Sequence, residues 1–319
     1  MIDFYLKFSN TRKYKLQIED IKYHLEEASK NTSEEFKRLF HGRGGLYEGW
    51  KHLTVDSIND ILSVALYFEE ENERELLEMM LLFVKESKYN RLVVQRRYLQ
   101  GSPSEVLVGK VQDDLYVLEN GIKIKLNLLS NKNSGYFPDM KKGREFVRDN
   151  AKDKRVLNLF SYTCAFSLAA KMGGAYEVIN VDMSKGALKT GMANHSLNGL
   201  DPRGTSFLPY NILKSFSSLK RKGPYDMIII DPPSFQKGSF EATKDYEKII
   251  KKLPQIASED CLLLSCLNSP NLESSFIIDL IQEWAPSFKF VKRLDNLEEF
   301  TSVDEAKSLK NLVFQRVIE

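Results

Sequence analysis

Cysteine is scarce in this chain, and its placement excludes more than its number does. Cys164, Cys261 and Cys266 cannot all pair, and none falls in a CxxC spacing. The four histidines, at 24, 41, 52 and 195, supply neither an HExxH motif nor another ligand pair, so no metal site is expected. Long apolar runs are missing as well: Ile61–Phe68 and Met227–Ile230 fall far short of the ~18 residues that a membrane-spanning helix needs. Met1-Ile2-Asp3-Phe4 opens without a basic stretch and apolar core, so no signal peptide and a cytoplasmic location are expected. Charge of one sign is not in excess either. The 46 basic and 44 acidic side chains divide into 19 and 21 up to Leu128, then 27 and 23 beyond it. Only short clusters, Arg96-Arg97, Lys141-Lys142 and Lys220-Arg221-Lys222, hint at a surface for nucleic acid.

What is present is an ordinary globular composition, 42% apolar and 28% charged, over 319 residues. That length predicts at least two domains, because single cores rarely grow past ~250 to 300 residues. Residues 1–44 read as a helical arm, with Ile18, Ile21, Leu25, Phe36 and Leu39 at helical spacing. His41-Gly42-Arg43-Gly44-Gly45 breaks it, either as a surface turn or as a grip on a phosphate. Residues 45–128 read as a small α/β module that could bind RNA. It has an apolar strand at Ile61–Phe68, a helix over Asn72–Val84, a strand at Arg91–Tyr98 and a hairpin around Asn120-Gly121. Residues 129–319 alternate strand and helix: Val156–Phe160, Glu177–Asp182, Thr205–Pro209, Asp226–Asp231 and Cys261–Leu267 are each followed by a helical stretch, with Ser184 and Asn271 as candidate caps. Phe288–Leu294 and Leu312–Val317 complete a seven-stranded, mostly parallel α/β sheet of Rossmann-like type.

In such sheets the turn after the first strand carries the cofactor. Here it is Phe160-Ser161-Tyr162-Thr163-Cys164, without the glycines that let a backbone approach a pyrophosphate. S-adenosylmethionine has no phosphate, and hydroxyls, backbone groups and an aromatic wall are sufficient for it. Asp182 ends the second strand, where a carboxylate can accept ribose hydroxyls. The fourth strand delivers Asp231-Pro232-Pro233-Ser234-Phe235 to the mouth of the sheet. Asp231 and the Pro232 carbonyl can accept base N–H groups while Phe235 stacks on a nucleobase, which makes these three the catalytic candidates.

From about Asn133 onward the chain resembles the class I methyltransferases of the large-subunit ribosomal RNA type, a family with 23S rRNA cytosine-C5 and guanine-N7 enzymes. The resemblance rests on Ser134-Gly135-Tyr136-Phe137-Pro138-Asp139 with Arg144, on Val156 to Thr163, on Val181-Asp182-Met183-Ser184 and on Asp231 to Phe235. It implies a Rossmann-like class I fold, S-adenosylmethionine as cofactor with S-adenosylhomocysteine as product, and ribosomal RNA or an assembly intermediate as partner. By the same resemblance Phe137, Asp139, Arg144, Asn158, Phe160, Ser161, Tyr162, Thr163, Asp182, Met183, Asn211, Ile212 and Asp231 bind the cofactor. The chain departs from the family at Cys164, which stands where glycine is common and narrows the methionine end of the cofactor site. It departs also at Lys141-Lys142, where arginine is common, and at Asn211, where an aspartate contacts adenine.

Cytosine-C5 transfer needs a cysteine thiolate, and Cys266 near the end of the fifth strand is the candidate. Strand alternation turns it away from the mouth. Gln236-Lys237-Gly238 after the Asp-Pro-Pro-Ser-Phe motif looks more like the guanine-modifying branch, so methylation at a guanine nitrogen of 23S rRNA is the favoured expectation. The alternatives are the C5 route through Cys266 and a cofactor-binding RNA-interaction protein with impaired catalysis.

Overall fold

The computed structural model describes residues 16–30, 34–130, 132–233, 235–236 and 240–318. They divide into two compact units. One takes the described residues up to Gln112 together with 128–130, 132 and 299–303; the other takes 113–127, 133–298 and 304 onward.

In the first unit, helix α1 (Ile18–Ser29) precedes strands β1 (Lys37–His41), β2 (Leu53–Ile58) and β3 (Ile61–Leu66), helix α2 (Glu73–Glu86), and strands β4 (Arg91–Arg96) and β5 (Ser104–Val108). The sheet runs β1-β2-β3-β4-β5. Only β3 and β4 pair in parallel, and a parallel pair needs a crossover, which α2 supplies. Ile18, Ile21 and Leu25 of α1 and Leu76, Met80 and Phe83 of α2 recur at three and four residues and close over Phe40, Val55, Val64 and Val94. The helical expectation for the first 40 residues therefore holds for Ile18–Ser29 but not for Lys37–His41, which pairs antiparallel with β2. Short apolar runs carry too little period to separate helix from strand, and here sheet pairing decides. Residues 1–15 of the expected arm lie outside the described residues. The glycines of the 41–45 turn serve close packing: a Cβ on Gly44 would strike the Thr301 carbonyl, and Gly44 O accepts the Val303 N–H at 2.9 Å. Arg43 lies over the Tyr67 ring at 4.0 Å.

The second unit begins with the hairpin of β6 (Tyr116–Glu119) and β7 (Ile122–Lys125). Asn120 (φ 49°) and Gly121 (φ 79°) both take the left-handed conformation that a two-residue Asn-Gly turn demands. The sequence places this hairpin in the N-terminal module, whereas the structure groups it with the second unit. The reason is its free edge, where Asn194 and Asn198 accept the Lys125 and Lys123 N–H groups at 2.8 Å each.

Helix α3 (Lys141–Asn150) leads into β8 (Arg155–Leu159), α4 (Ala165–Met172), β9 (Glu177–Val181), α5 (Lys185–Leu197), β10 (Thr205–Leu208), α6 (Phe216–Lys222) and β11 (Tyr225–Ile230). The short pair β12 (Phe235–Gln236) and β13 (Phe240–Glu241) follows, then α7 (Ala242–Ile250), β14 (Ala257–Leu267), α8 (Ser274–Trp284), β15 (Phe288–Leu294) and β16 (Lys310–Arg316). The seven-stranded sheet runs β10-β9-β8-β11-β14-β16-β15, with only β16 antiparallel to its neighbours. Its strands read as near-continuous apolar runs because both faces are covered. Ser184 caps α5 as anticipated, accepting the Ala187 N–H at 3.1 Å. Asn271 does not cap α8, which starts at Ser274 behind Glu273. Strand order reverses between β8 and β11, the switch point beyond whose carboxyl ends open α/β sheets bind their ligands.

Candidate active site

The turn leaving β8 achieves without glycine what a glycine loop does by composition. Phe160 (φ 59°), Tyr162 (φ 46°) and Cys164 (φ 64°) all adopt the left-handed conformation, which costs a residue with a side chain energy that its surroundings must over-determine. They do so through hydrogen bonds. The Ser161 N–H donates to Val181 O at 3.1 Å and the Tyr162 N–H to the Asp182 carboxylate at 2.8 Å. The Thr163 hydroxyl donates to Gly135 O at 2.6 Å and the Asn194 amide to Thr163 O at 3.0 Å. The φ at Cys164 is one that glycine adopts without a steric penalty. Cys164 fits because its fully buried sulfur rests on Gly191 of α5, where a Cβ would lie 2.5 Å away. The thiol is therefore packed against α5.

Asp182 stands half-buried at the rim. One carboxylate oxygen accepts from Tyr162 and the other from the Ser184 N–H, at 2.8 Å each. About two of its roughly four lone-pair positions remain for a ligand. Phe137, 40% exposed, faces Tyr162 with ring centroids 5.6 Å apart, and Met183 is exposed beside Asp182. Asn211 accepts the Lys214 N–H at 3.3 Å, and the neighbouring Ile212 is buried. Asn158 points into the sheet interior instead. Its amide donates to Asn180 at 2.9 Å, Asn180 donates to the Ser167 hydroxyl at 3.0 Å, and Ser167 meets His195 Nε2 at 2.9 Å. His195 Nδ1 lies 2.8 Å from Gly191 O, which can only accept, so Nδ1 carries the proton and Nε2 accepts from Ser167. Burial lowers the His195 pKa and keeps the ring neutral. Nothing in sequence spacing signalled this buried chain.

Asp231 follows β11 at the mouth, half-buried, with Pro232 buried behind it. Burial, reinforced by the nearby Asp139 carboxylate, pushes its pKa up to about 7, while the Arg144 charge opposes the shift. Arg144 itself is buried. It donates two 2.6 Å hydrogen bonds to Glu119 of the β6–β7 hairpin and one of 2.9 Å to Phe137 O. Tyr136 donates to the same carboxylate at 2.5 Å. Glu119 is thus a site-supporting residue that the motif pattern missed, because it lies outside the motifs and reaches Arg144 across 25 positions. Cys266 is buried against Met140 and Leu264, yet near enough for the charges of Asp231, Arg144 and Asp139 to act on it. Burial pushes its thiol well above the ordinary range. Phe235 contributes backbone to the β12–β13 pair; its side chain, Ser234 and residues 237–239 lie outside the described residues.

The donor set fits S-adenosylmethionine. Among the described residues no side chain other than the Cys164 thiol meets the buried Ser161 hydroxyl, Asp182 keeps acceptor capacity, and Phe137 with Tyr162 supplies an aromatic wall. Asp182 would take the ribose hydroxyls, while Ser161 and the turn would serve the amino-acid end.

Comparison with known proteins agrees with this geometry. The family described as S-adenosylmethionine-dependent methyltransferase matches residues 37–315. "Ribosomal RNA large subunit methyltransferase I" of Aeromonas salmonicida is 32% identical over 248 residues, covering 75% of this chain and 63% of that protein. The protein of the same name from Tolumonas auensis is 30% identical over 283 residues, covering 83% and 71%. Among solved structures, one described as "a putative methyltransferase complexed with SAH" superposes with a TM-score of 0.84 at 26% identity, covering 95% of this chain and 83% of that one. The chain spans 63% of the length of the first of these relatives, so it matches a part of that protein.

Proposed function

The chain belongs to the S-adenosylmethionine-dependent methyltransferase family, and on that premise we propose that it methylates a nucleobase of RNA, in 23S ribosomal RNA, at a guanine nitrogen. The observation that carries this reading is Asp231: a carboxyl group with its pKa pushed up to about 7, at the end of the fourth strand and braced by Pro232. The bound cofactor supplies an electrophilic methyl group, so the protein needs alignment more than a strong base. As a carboxylate, Asp231 accepts an N–H of the base edge and pushes electron density toward the attacking nitrogen. The Pro232 carbonyl is a second acceptor, and Phe235 is the proposed stacking surface. Arg144, locked by Glu119, keeps the carboxylate accessible near neutral pH by offsetting part of the burial and the Asp139 charge. The names of the relatives support ribosomal RNA as the acceptor.

Asp231→Ala should retain cofactor binding by calorimetry and lose methyl transfer to ribosomal RNA; a fully active variant would sink the assignment. Mass-spectrometric mapping of rRNA from cells lacking the protein would name the nucleotide. Bound S-adenosylhomocysteine without turnover on any rRNA would favour an RNA-interaction protein over an enzyme.

One observation favours a second route, at cytosine C5. Cys266 shares the electrostatic neighbourhood of Asp231, which could take the thiol proton as sulfur adds to the ring. The raised thiol pKa makes the free thiolate scarce and weighs against it. Cys266→Ala with unimpaired transfer excludes the route, whereas a protein–RNA adduct on 5-fluorocytidine RNA establishes it.

A further inference from the structure

In the second unit, residues 213–220 face residues 252–256 across a surface cavity of about 230 Å³. Three exposed lysines, Lys214, Lys220 and Lys252, line it together with Ser217 and Gln255, and Phe216 gives it an apolar side. Among the described residues no carboxylate lines the cavity and none of the three lysines has an ion-pair partner. Of the acids close by in sequence, Asp226 accepts the Arg155 N–H at 2.8 Å, Asp245 pairs with Lys248 at 2.7 Å and Glu247 pairs with Lys251, while Glu259 and Asp260 are exposed beyond the cavity's lining. Arg221 and Lys222 extend the positive run in the last turn of α6.

Three like charges converging on one concavity repel one another, and that repulsion is relieved by a polyanion rather than by the protein itself. The aromatic edge narrows the choice further, because alternating cations and a ring are what a single strand of nucleic acid meets: phosphates on the ammonium groups, a base on the ring. We propose that this groove binds the phosphodiester backbone of a single-stranded RNA segment, with Lys214, Lys220 and Lys252 on phosphates, Phe216 against a base, and Ser217 and Gln255 as neutral donors. Lys214 lies three residues past Asn211, and Lys252, Gln255 and Ile256 immediately precede β14, so the groove runs along α6 toward the amino ends of β11 and β14. This deepens the proposed function and rests on RNA being the substrate.

The test is the triple variant K214E/K220E/K252E, with K214Q/K220Q/K252Q as the milder partner, titrated against a fluorescein-labelled single-stranded oligoribonucleotide by anisotropy. Affinity should fall at least about ten-fold, and the slope of log K against log salt should shrink by about 2, at roughly 0.7 per phosphate contact. Unchanged S-adenosylhomocysteine binding by calorimetry shows that the fold is intact. RNA affinity and salt slope equal to the parent in both variants overturn the groove. Methyl transfer is read separately, so the two readings fail differently. Groove-dependent RNA binding without methylation leaves this site standing and overturns the function; methylation with groove-independent binding does the reverse.

Discussion

Asp231 is a carboxyl group held near neutral titration by opposing neighbours, and its consequences can be worked out with sign. Its folded pKa, about 7, lies above the ordinary value of 3.8. The folded state therefore binds more protons than the unfolded chain between those values, and Asp231 lowers stability as pH climbs from about 4 to about 7. Acceptor function runs the other way, since the carboxylate is the stronger acceptor and has no O–H of its own to donate. Methyl transfer should rise with pH and level off above about 7, as read from a pH–rate profile at saturating cofactor. Asp139→Asn removes one cause of the upward shift and should move the rising limb to lower pH. The residue types at the mouth were legible in sequence. What was not legible is that Asp139 and Arg144 act on Asp231 from opposite directions, because charge coupling depends on distance and burial rather than on order along the chain.

The β6–β7 hairpin shows how far a local signal reaches at the scale of an element. Asn120-Gly121 announces the turn, because few other dipeptides tolerate two consecutive left-handed residues. It does not announce where the hairpin docks. That depends on Asn194 and Asn198 along its edge and on Glu119 beneath Arg144. Glu119→Gln leaves a buried guanidinium without its counter-charge and should cost about 3 to 5 kcal/mol in urea unfolding. A loss well below 1 kcal/mol would mean that Arg144 finds another partner. The first turn teaches the complementary lesson. Its lack of glycine was plain in the sequence, but the left-handed backbone at Phe160, Tyr162 and Cys164 emerges only from the hydrogen bonds that enforce it.

For the whole molecule, the division of the chain is not a division of the sequence. Residues 299–303 interrupt the second unit and belong with the first, where Val303 bonds Gly44 and Phe300 meets His41 with ring centroids 5.3 Å apart. S-adenosylhomocysteine, binding the folded second unit, should raise the midpoint of the transition that melts the seven-stranded sheet. At a hundred times its dissociation constant the stabilisation is ~2.7 kcal/mol, which scanning calorimetry resolves. An unmoved midpoint in the presence of saturating ligand would contradict the cofactor assignment.

The sequence by itself determined the alternation of strands and helices from residue 153 onward, the left-handed Asn-Gly turn and the identity of the residues at the strand ends. Each of these follows from the period of apolar side chains or from the steric limits of one or two residues, which are local properties. Only the tertiary structure decided that Lys37–His41 is a strand, that Asn158 turns inward to Asn180, that Cys164 rests on Gly191, and that Glu119 supports the site. Those outcomes depend on which distant group fills a given space or answers a given charge, and that is settled when the chain packs against itself.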